Sequence, residues 1–222
     1  MGTLYVVATP IGNLEDITLR AIRILLTTEV VACEDTRHTG QLIKILSENV
    51  KKGTPFTLEG GPLLRRFISV RDWNEKESID KILAELKDHD VALVSDAGTP
   101  LISDPGFKIV RAARSEGYKV SPIPGPSALI AALSAAGVPT DKFVFRGFLP
   151  KKWELDTSMT NVIYESPKRV KNTIEQIKLK YPTAKITVAS ELTKIHELIT
   201  MNYEQISDSP KGEWVILISF DQ

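Results

Sequence analysis

The sequence predicts two α/β domains, the first on a parallel sheet and the second on a mixed one. Three observations carry this reading. Between residues 4 and 123, short apolar β-branched runs alternate with amphipathic stretches and short loops, the pattern of a parallel sheet with right-handed crossovers. After Gly137-Val138-Pro139 the texture changes to strand candidates with a single long helix among them. A length of 222 residues is long for one ordinary domain and comfortable for two small ones. The boundary is expected near Ile123, giving domains over 1–123 and 124–222.

Residues 4–9 read as a buried strand that stops at Pro10. Residues 14–26 read as a helix, with Asp16 as N-cap and Leu19, Ile22 and Leu26 at helical spacing. A strand at 29–33 runs into the charged stretch Glu34-Asp35-Thr36-Arg37-His38, and a helix is expected over 39–47. Residues 51–62 hold three glycines and two prolines and read as a loop excursion. A third strand at 67–70 is followed by an amphipathic helix at 75–88, with Ile79, Ile82, Leu83 and Leu86 on one face. A fourth strand covers 91–95. The next helix should open at Asp104-Pro105, Asp as cap and Pro at the first position, and stop at Gly117. A fifth strand covers 119–123. Beyond it, a small-residue helix at 127–136, strands at 143–148, 161–164, 186–189 and 214–220, and a helix at 167–180 are expected.

Hydrophobic residues make up 42% and charged residues 25%, the mix of a soluble globular protein. The formal net charge of zero argues against a surface built throughout to grip nucleic acid and leaves room for a local basic patch. The one cysteine, Cys33, lies in an apolar strand; it forms no internal disulfide and reads as a small buried hydrophobe, not a reactive thiol. The N-terminus lacks the basic and apolar regions of a signal peptide, and Val6 breaks the myristoylation pattern that Met1-Gly2 opens. No run approaches the ~20 apolar residues of a membrane span. A cytoplasmic protein is expected, with neither membrane nor DNA as partner.

In an open parallel sheet, ligands bind beyond the carboxyl ends of the strands. The three most unusual loops fall there: Thr9-Pro10-Ile11-Gly12-Asn13, Ser95-Asp96-Ala97-Gly98-Thr99-Pro100 continuing to Asp104-Pro105-Gly106, and Pro122-Ile123-Pro124-Gly125-Pro126-Ser127. Glycine permits close backbone approach, and proline lowers the entropy lost on binding. One such loop reads as a tight turn; three at successive strand ends point to a ligand. No G-x-G-x-x-G, P-loop or G-x-S-x-G pattern is present. His196-Glu197 opens an H-E-x-x-H pattern that Thr200 breaks, and His38, His89 and His196 show no metal-ligand spacing, so no metal is expected.

These loops, with Glu34-Asp35-Thr36-Arg37-His38-Thr39 and Leu101-Ile102-Ser103, resemble the ribosomal RNA small subunit methyltransferase I family, a branch of the tetrapyrrole (corrin/porphyrin) methylases. Gly147-Phe148-Leu149-Pro150, Tyr164-Glu165-Ser166-Pro167, Glu191-Leu192-Thr193-Lys194 and Lys211-Gly212-Glu213 extend the resemblance through the second half. It implies the two-domain tetrapyrrole-methylase fold with the cofactor cleft between the domains. It also implies a homodimer, and 2′-O-methylation of a cytidine of 16S ribosomal RNA in the small (30S) subunit, with S-adenosyl-L-methionine as donor and S-adenosyl-L-homocysteine as product. The family has a longer basic stretch before the Tyr-Glu-Ser strand, where Lys151-Lys152-Trp153 here leads to Asn161 within a few residues. Many members also carry a helical extension after the last strand.

Carried over residue by residue, the resemblance implies cofactor contacts at Pro10, Asp96, Ala97, Gly98, Ile102, Pro126, Ser127, Tyr164, Glu165, Glu191, Leu192 and Gly212. As plain structure, Asp96 could cap its own loop, and Ile102 and Tyr164 could be core. A ribose hydroxyl is a poor nucleophile that gains from a base or from a cation at the developing alkoxide. Glu34, Asp35, Arg37 and His38 are the candidates at one strand end. Arg37 suits phosphate or oxyanion contact, Asp35 or Glu34 positioning or base work, and Lys194 could act similarly from the other domain. RNA would meet local basic groups: Arg65, Arg66 and Arg71, Lys151 and Lys152, and Lys168, Arg169 and Lys171. Two alternatives stay open: a same-fold methyltransferase acting on a small molecule such as a tetrapyrrole, and a non-catalytic cofactor-binding, ribosome-associated module.

Overall fold

Strands β1 (Thr3–Val7), β2 (Val30–Cys33), β3 (Arg66–Ser69), β4 (Val91–Val94) and β5 (Lys119–Ile123) form a parallel sheet in the order β3-β2-β4-β1-β5. The computed structural model describes residues 1–51, 65–207 and 209–220. The expected excursion lies, from residue 52 on, outside the described residues. β2 and β4 are buried at every position, as expected of VVAC and VALV segments covered on both faces. Helices α1 (Leu19–Thr27) and α2 (Thr36–Lys51) cover one face through Leu25, Leu26, Ile43 and Leu46 packed on Val7, Val31 and Val94. Helices α3 (Glu75–Glu85) and α4 (Phe107–Ser115) cover the other through Ile82 and Ile109 on Leu4, Val30 and Leu93.

In the second sheet, β6 (Phe143–Phe148), β7 (Thr160–Glu165), β8 (Lys185–Ser190), β9 (Leu198–Thr200) and β10 (Trp214–Ser219) follow the order β6-β7-β10-β8-β9. β6 and β7 run parallel and the other pairs antiparallel, with a register shift at Gly147, whose φ is +60°. Side chains alternate with the period of two that strands impose. Val162, Val215 and Leu217 face α5 (Ala128–Ala135), while Ile163, Ile216 and Ile218 face α6 (Val170–Lys180). The chain divides into two compact units, Met1–Pro10 with Leu14–Pro126, and Ile11–Asn13 with Ser127–Gln222. Among the described residues no helix is long and apolar enough to cross a membrane.

Three local expectations are corrected, and one strand is added. Asp16 does not cap α1: it sits in a 3-10 turn (Leu14–Asp16), and Thr18 is the cap, its hydroxyl accepting from Ala21 N at 3.1 Å. Asp104-Pro105 does not open α4, because Leu101 and Ser103 at φ +75° and +70° keep the chain turning until Gly106, the observed N-cap. Helix α2 starts at Thr36, three residues earlier than expected, so Thr36, Arg37 and His38 of the charged run form its first turn while Glu34 and Asp35 precede it. Strand β9, three residues on a sheet edge, is too short for its alternation to register in the sequence.

Candidate active site

The strand order creates a switch point in the first sheet. β2 and β4 are neighbours, yet the chain leaves β2 for α2 on one face and leaves β4 for α4 on the other. Such a divergence opens a crevice beyond the strand ends, where α/β sheets bind ligands. Here the Asp35 N–H donates to Asp96 Oδ1 at 3.1 Å, tying the two outgoing loops together. Thr9 and Gly98 exchange backbone hydrogen bonds of 2.9 and 3.0 Å, joining the β1 and β4 loops. The Thr99 hydroxyl donates to Pro126 O at 2.9 Å and brings in the β5 loop. A Cβ on Gly125 would lie 2.9 Å from the Ala8 Cβ, so only glycine lets these backbones meet. Pro10, Asp96, Ala97, Gly98 and Pro126 thus belong to one cross-linked floor. Ala97 is exposed between buried Ser95 and Gly98 and presents peptide groups with little side chain over them. Ile102 is also exposed, so it is not core.

Asp35 is the N-terminal cap of α2. Its Oδ1 accepts from the backbone N–H of Arg37 at 2.8 Å and of His38 at 3.3 Å, while Oδ2 meets the Arg37 guanidinium at 3.1 Å. The bond from the Arg37 side chain, helped by the two peptide N–H groups, holds the carboxyl well below the usual carboxylate range and raises the Arg37 guanidinium. Asp35 therefore stays ionised at any working pH and is a weak base. A depressed carboxyl stabilises the fold above its unfolded value of about 4 and loses that contribution as pH falls further. Asp35→Ala should lower Tm at pH 7, with the gap to wild type closing below about pH 4; a gap that does not change down to pH 3 would contradict the capping role. Cys33, buried beneath this turn, has its thiol pushed up to about 11 by burial and is inert at neutral pH.

In the second unit the Glu191-Leu192-Thr193-Lys194 loop is held in an unusual shape. Glu191 and Thr193 have φ of +48° and +65°, conformations that cost a non-glycine residue energy and concentrate at functional sites. Lys194 Nζ pairs with Glu191 Oε1 at 3.0 Å, and Thr193 Oγ1 accepts from Asn13 N at 3.1 Å. A Cβ on Gly12 would lie 2.5 Å from Lys194 Cγ, and one on Gly212, at φ +66°, would overlap Glu191 Oε1. Gly212→Ala should displace Glu191 from Lys194 and destabilise the chain by about 1 kcal/mol from the left-handed backbone alone. Urea denaturation measures this, and a neutral result would contradict it.

Other candidates carry structural work. Glu165 is 0% exposed; it accepts from Ser166 N at 2.7 Å and Thr173 Oγ1 at 2.8 Å and pairs with Arg169 at 3.1 Å. Its side chain holds protein. Leu192 is buried in the α5 core. The Tyr164 hydroxyl accepts from Leu129 N in the first turn of α5, while its ring packs edge-on to Phe145. Ser127 is the N-cap position of that helix. Arg65 donates to Leu25 O and Leu26 O and caps the end of α1; Arg66 pairs with Glu85, and Arg71 donates to Glu34 O. Sequence reasoning passed over Thr9, Thr99 and Gly125, which lock the floor. Their signal was present, since each threonine precedes a proline at a strand end and Gly125 lies between two prolines. Among the described residues, no group of three His, Cys, Asp or Glu side chains is placed to hold a metal.

The tetrapyrrole (corrin/porphyrin) methylase profile matches residues 3–206. The ribosomal RNA small subunit methyltransferase I of Hydrogenobaculum sp. (strain Y04AAS1) is 44% identical, over 97% of this chain and 95% of that protein. Its namesake from Escherichia coli O157:H7 is 39% identical, over 100% of this chain and 73% of the relative. Among solved structures, a uroporphyrin-III-C-methyltransferase from Thermus thermophilus superposes with a TM-score of 0.66 at 20% identity, covering 98% and 94% of the two chains. Another structure, of the same enzyme complexed with S-adenyl homocysteine, gives 0.61 at 19%, covering 97% of each chain. The structural matches show the fold, and the sequence matches, spanning nearly the whole chain, place it in the tetrapyrrole (corrin/porphyrin) methylase family, in its ribosomal RNA small subunit methyltransferase I branch.

Proposed function

We propose that this chain transfers a methyl group from S-adenosyl-L-methionine to the 2′-hydroxyl of a cytidine in 16S ribosomal RNA. The observation that carries this is 44% identity to a small-subunit RNA methyltransferase over nearly the full length of both chains. The tetrapyrrole alternative is not favoured, because the tetrapyrrole enzymes that share the fold are only 16–20% identical. The donor, when bound, supplies a sulfonium methyl whose C–S bond breaks as the C–O bond forms, leaving S-adenosyl-L-homocysteine.

The chain's own residues would orient this displacement, for which positioning does much of the work. The floor built from Pro10, Asp96, Ala97, Gly98 and Pro126 suits a nucleoside: it offers fixed peptide groups, small side chains and one carboxylate. Ile102, Ser127, Tyr164, Glu191, Leu192 and Gly212 complete the proposed cofactor contacts, with Glu165 acting through the fold it braces. Arg37 meets a phosphate or the developing oxyanion. Asp35 fixes Arg37, and Glu34, next to it in the chain, takes the hydroxyl proton. Lys194, seated on Glu191, supplies a second cation. A cytoplasmic homodimer belongs to the same reading; the exposed aromatic side chains of Trp73 and Phe107 offer apolar area for such a contact. Radiolabelled methyl transfer should be offered to small ribosomal subunits, naked ribosomal RNA and porphyrinoid precursors in parallel. Label is expected in RNA, within the subunit or naked. Label confined to porphyrinoids, or none anywhere, would overturn the proposal.

A further inference from the structure

The formal charge of the whole chain is zero, yet it is unevenly spread. Residues 151–154 and 168–180 hold seven lysines and arginines against two carboxylates. The structure draws these two segments together. At one end, the Arg169 guanidinium donates to Leu149 O at 3.2 Å. At the other, Lys180 Nζ donates to Trp153 O at 2.8 Å and pairs with Glu154 at 2.8 Å. Eleven residues of helix span about 17 Å, and four residues of extended chain span about 13 Å. The segment after β6 therefore runs alongside α6, pinned at both ends and bent at Lys151-Lys152. Because Val170, Thr173, Ile174 and Ile177 face the core, the lysines of α6 fall on its outer side.

At the second pin lies an open groove lined by Lys151, Lys152, Trp153, Gln176, Leu179 and Lys180, with Glu154, paired to Lys180, as its one carboxylate. Lys151 and Lys152 are exposed and enter no ion pair among the described residues. The Lys180 ammonium lies 5.0 Å from the Trp153 ring centroid, and Leu179 is 85% exposed. Cations that track a backbone, beside an aromatic ring and apolar surface that accept bases, are what single-stranded nucleic acid requires. The other basic group, at the β3 end, lacks this character because Arg65, Arg66 and Arg71 are each committed to protein partners.

We propose that this groove along α6 is the surface on which an unpaired segment of the ribosomal RNA substrate docks, with Lys151 and Lys152 as its phosphate contacts. The buried Glu165, through Arg169 and the Leu149 carbonyl, positions the segment that carries them. The assignment rests on the RNA-methyltransferase reading above and narrows it to one surface.

The test uses the full chain with Lys151→Ala/Lys152→Ala, against Lys76→Ala/Lys87→Ala as a control for general charge. Affinity for naked small-subunit RNA is read by fluorescence anisotropy across a salt series, and S-adenosylmethionine affinity is measured in parallel. The groove variant should bind RNA roughly tenfold or more weakly near 0.15 M salt, with the log–log salt slope shallower by about 1.4 for two lost phosphate contacts. Its S-adenosylmethionine affinity should match wild type, the control pair should behave as wild type, and Lys151→Arg/Lys152→Arg should restore binding. RNA affinity and slope equal to wild type would overturn the docking surface and leave the RNA reading intact. Weakened binding to whole subunits with naked RNA unaffected would assign the groove to a ribosomal protein, also overturning it. Failure of the wild-type chain to bind either naked RNA or whole small subunits at any salt would overturn both.

Discussion

Replacing Arg37 by alanine should lower the turnover number by about 10²–10³-fold while leaving S-adenosylmethionine affinity within about twofold, the range seen when one preorganised donor to a developing oxyanion is lost. The structural argument is that Arg37 has little else to do. Its side chain is 89% exposed, and among the described residues its guanidinium is seen to pair with the Asp35 carboxylate, itself already engaged by two peptide N–H groups. An exposed pair of this kind contributes little to stability, so Tm should barely move. The pair does fix the direction of the guanidinium beside the β2–β4 switch point, where Asp35 N–H meets Asp96. Arg37→Lys keeps the charge and loses the planar fork, so it should recover only part of the rate. Unchanged turnover in the alanine variant would remove Arg37 from the chemistry.

Glu165→Ala should destabilise the chain by about 2–4 kcal/mol in urea denaturation, the largest single-residue stability effect among the candidate residues. The carboxylate is fully buried, and its removal strands the Thr173 hydroxyl and the Ser166 N–H. Removing one partner of a fully buried ion pair costs about 3–5 kcal/mol. Here the Arg169 side chain is half exposed and can return to water, which lowers the expectation. Thr173→Val, which removes one hydrogen bond and keeps the shape, should cost about 1 kcal/mol. Glu165→Ala with less than about 0.5 kcal/mol of effect, the level of ordinary surface changes, would mean that the network braces nothing.

Much of the fold was legible because the strands are covered on both faces. VVAC and VALV could only be buried strands, and the alternation in the last strand, Trp214 to Ser219, reflects α5 on one side and α6 on the other. Helix starts were less legible. Asp16 and Asp104 are good caps by residue type, yet tertiary turns set the starts at Thr18 and Gly106. The loops of the site were legible from glycine and proline placed at strand ends. Their wiring was not, because Asp35 to Asp96 and Thr99 to Pro126 are contacts between residues 61 and 27 apart in sequence. Nor could a burial-blind reading tell that Glu165 serves the interior or that Arg65 caps α1.

The most direct test of the account is the chemical position of the methyl group. Small ribosomal subunits from cells lacking this activity should be methylated with labelled S-adenosylmethionine, and the RNA digested to nucleosides and resolved. The account predicts label in 2′-O-methylcytidine, abolished or strongly reduced with Arg37→Ala. Label on a base carbon or nitrogen, or on a nucleoside other than cytidine, would contradict it.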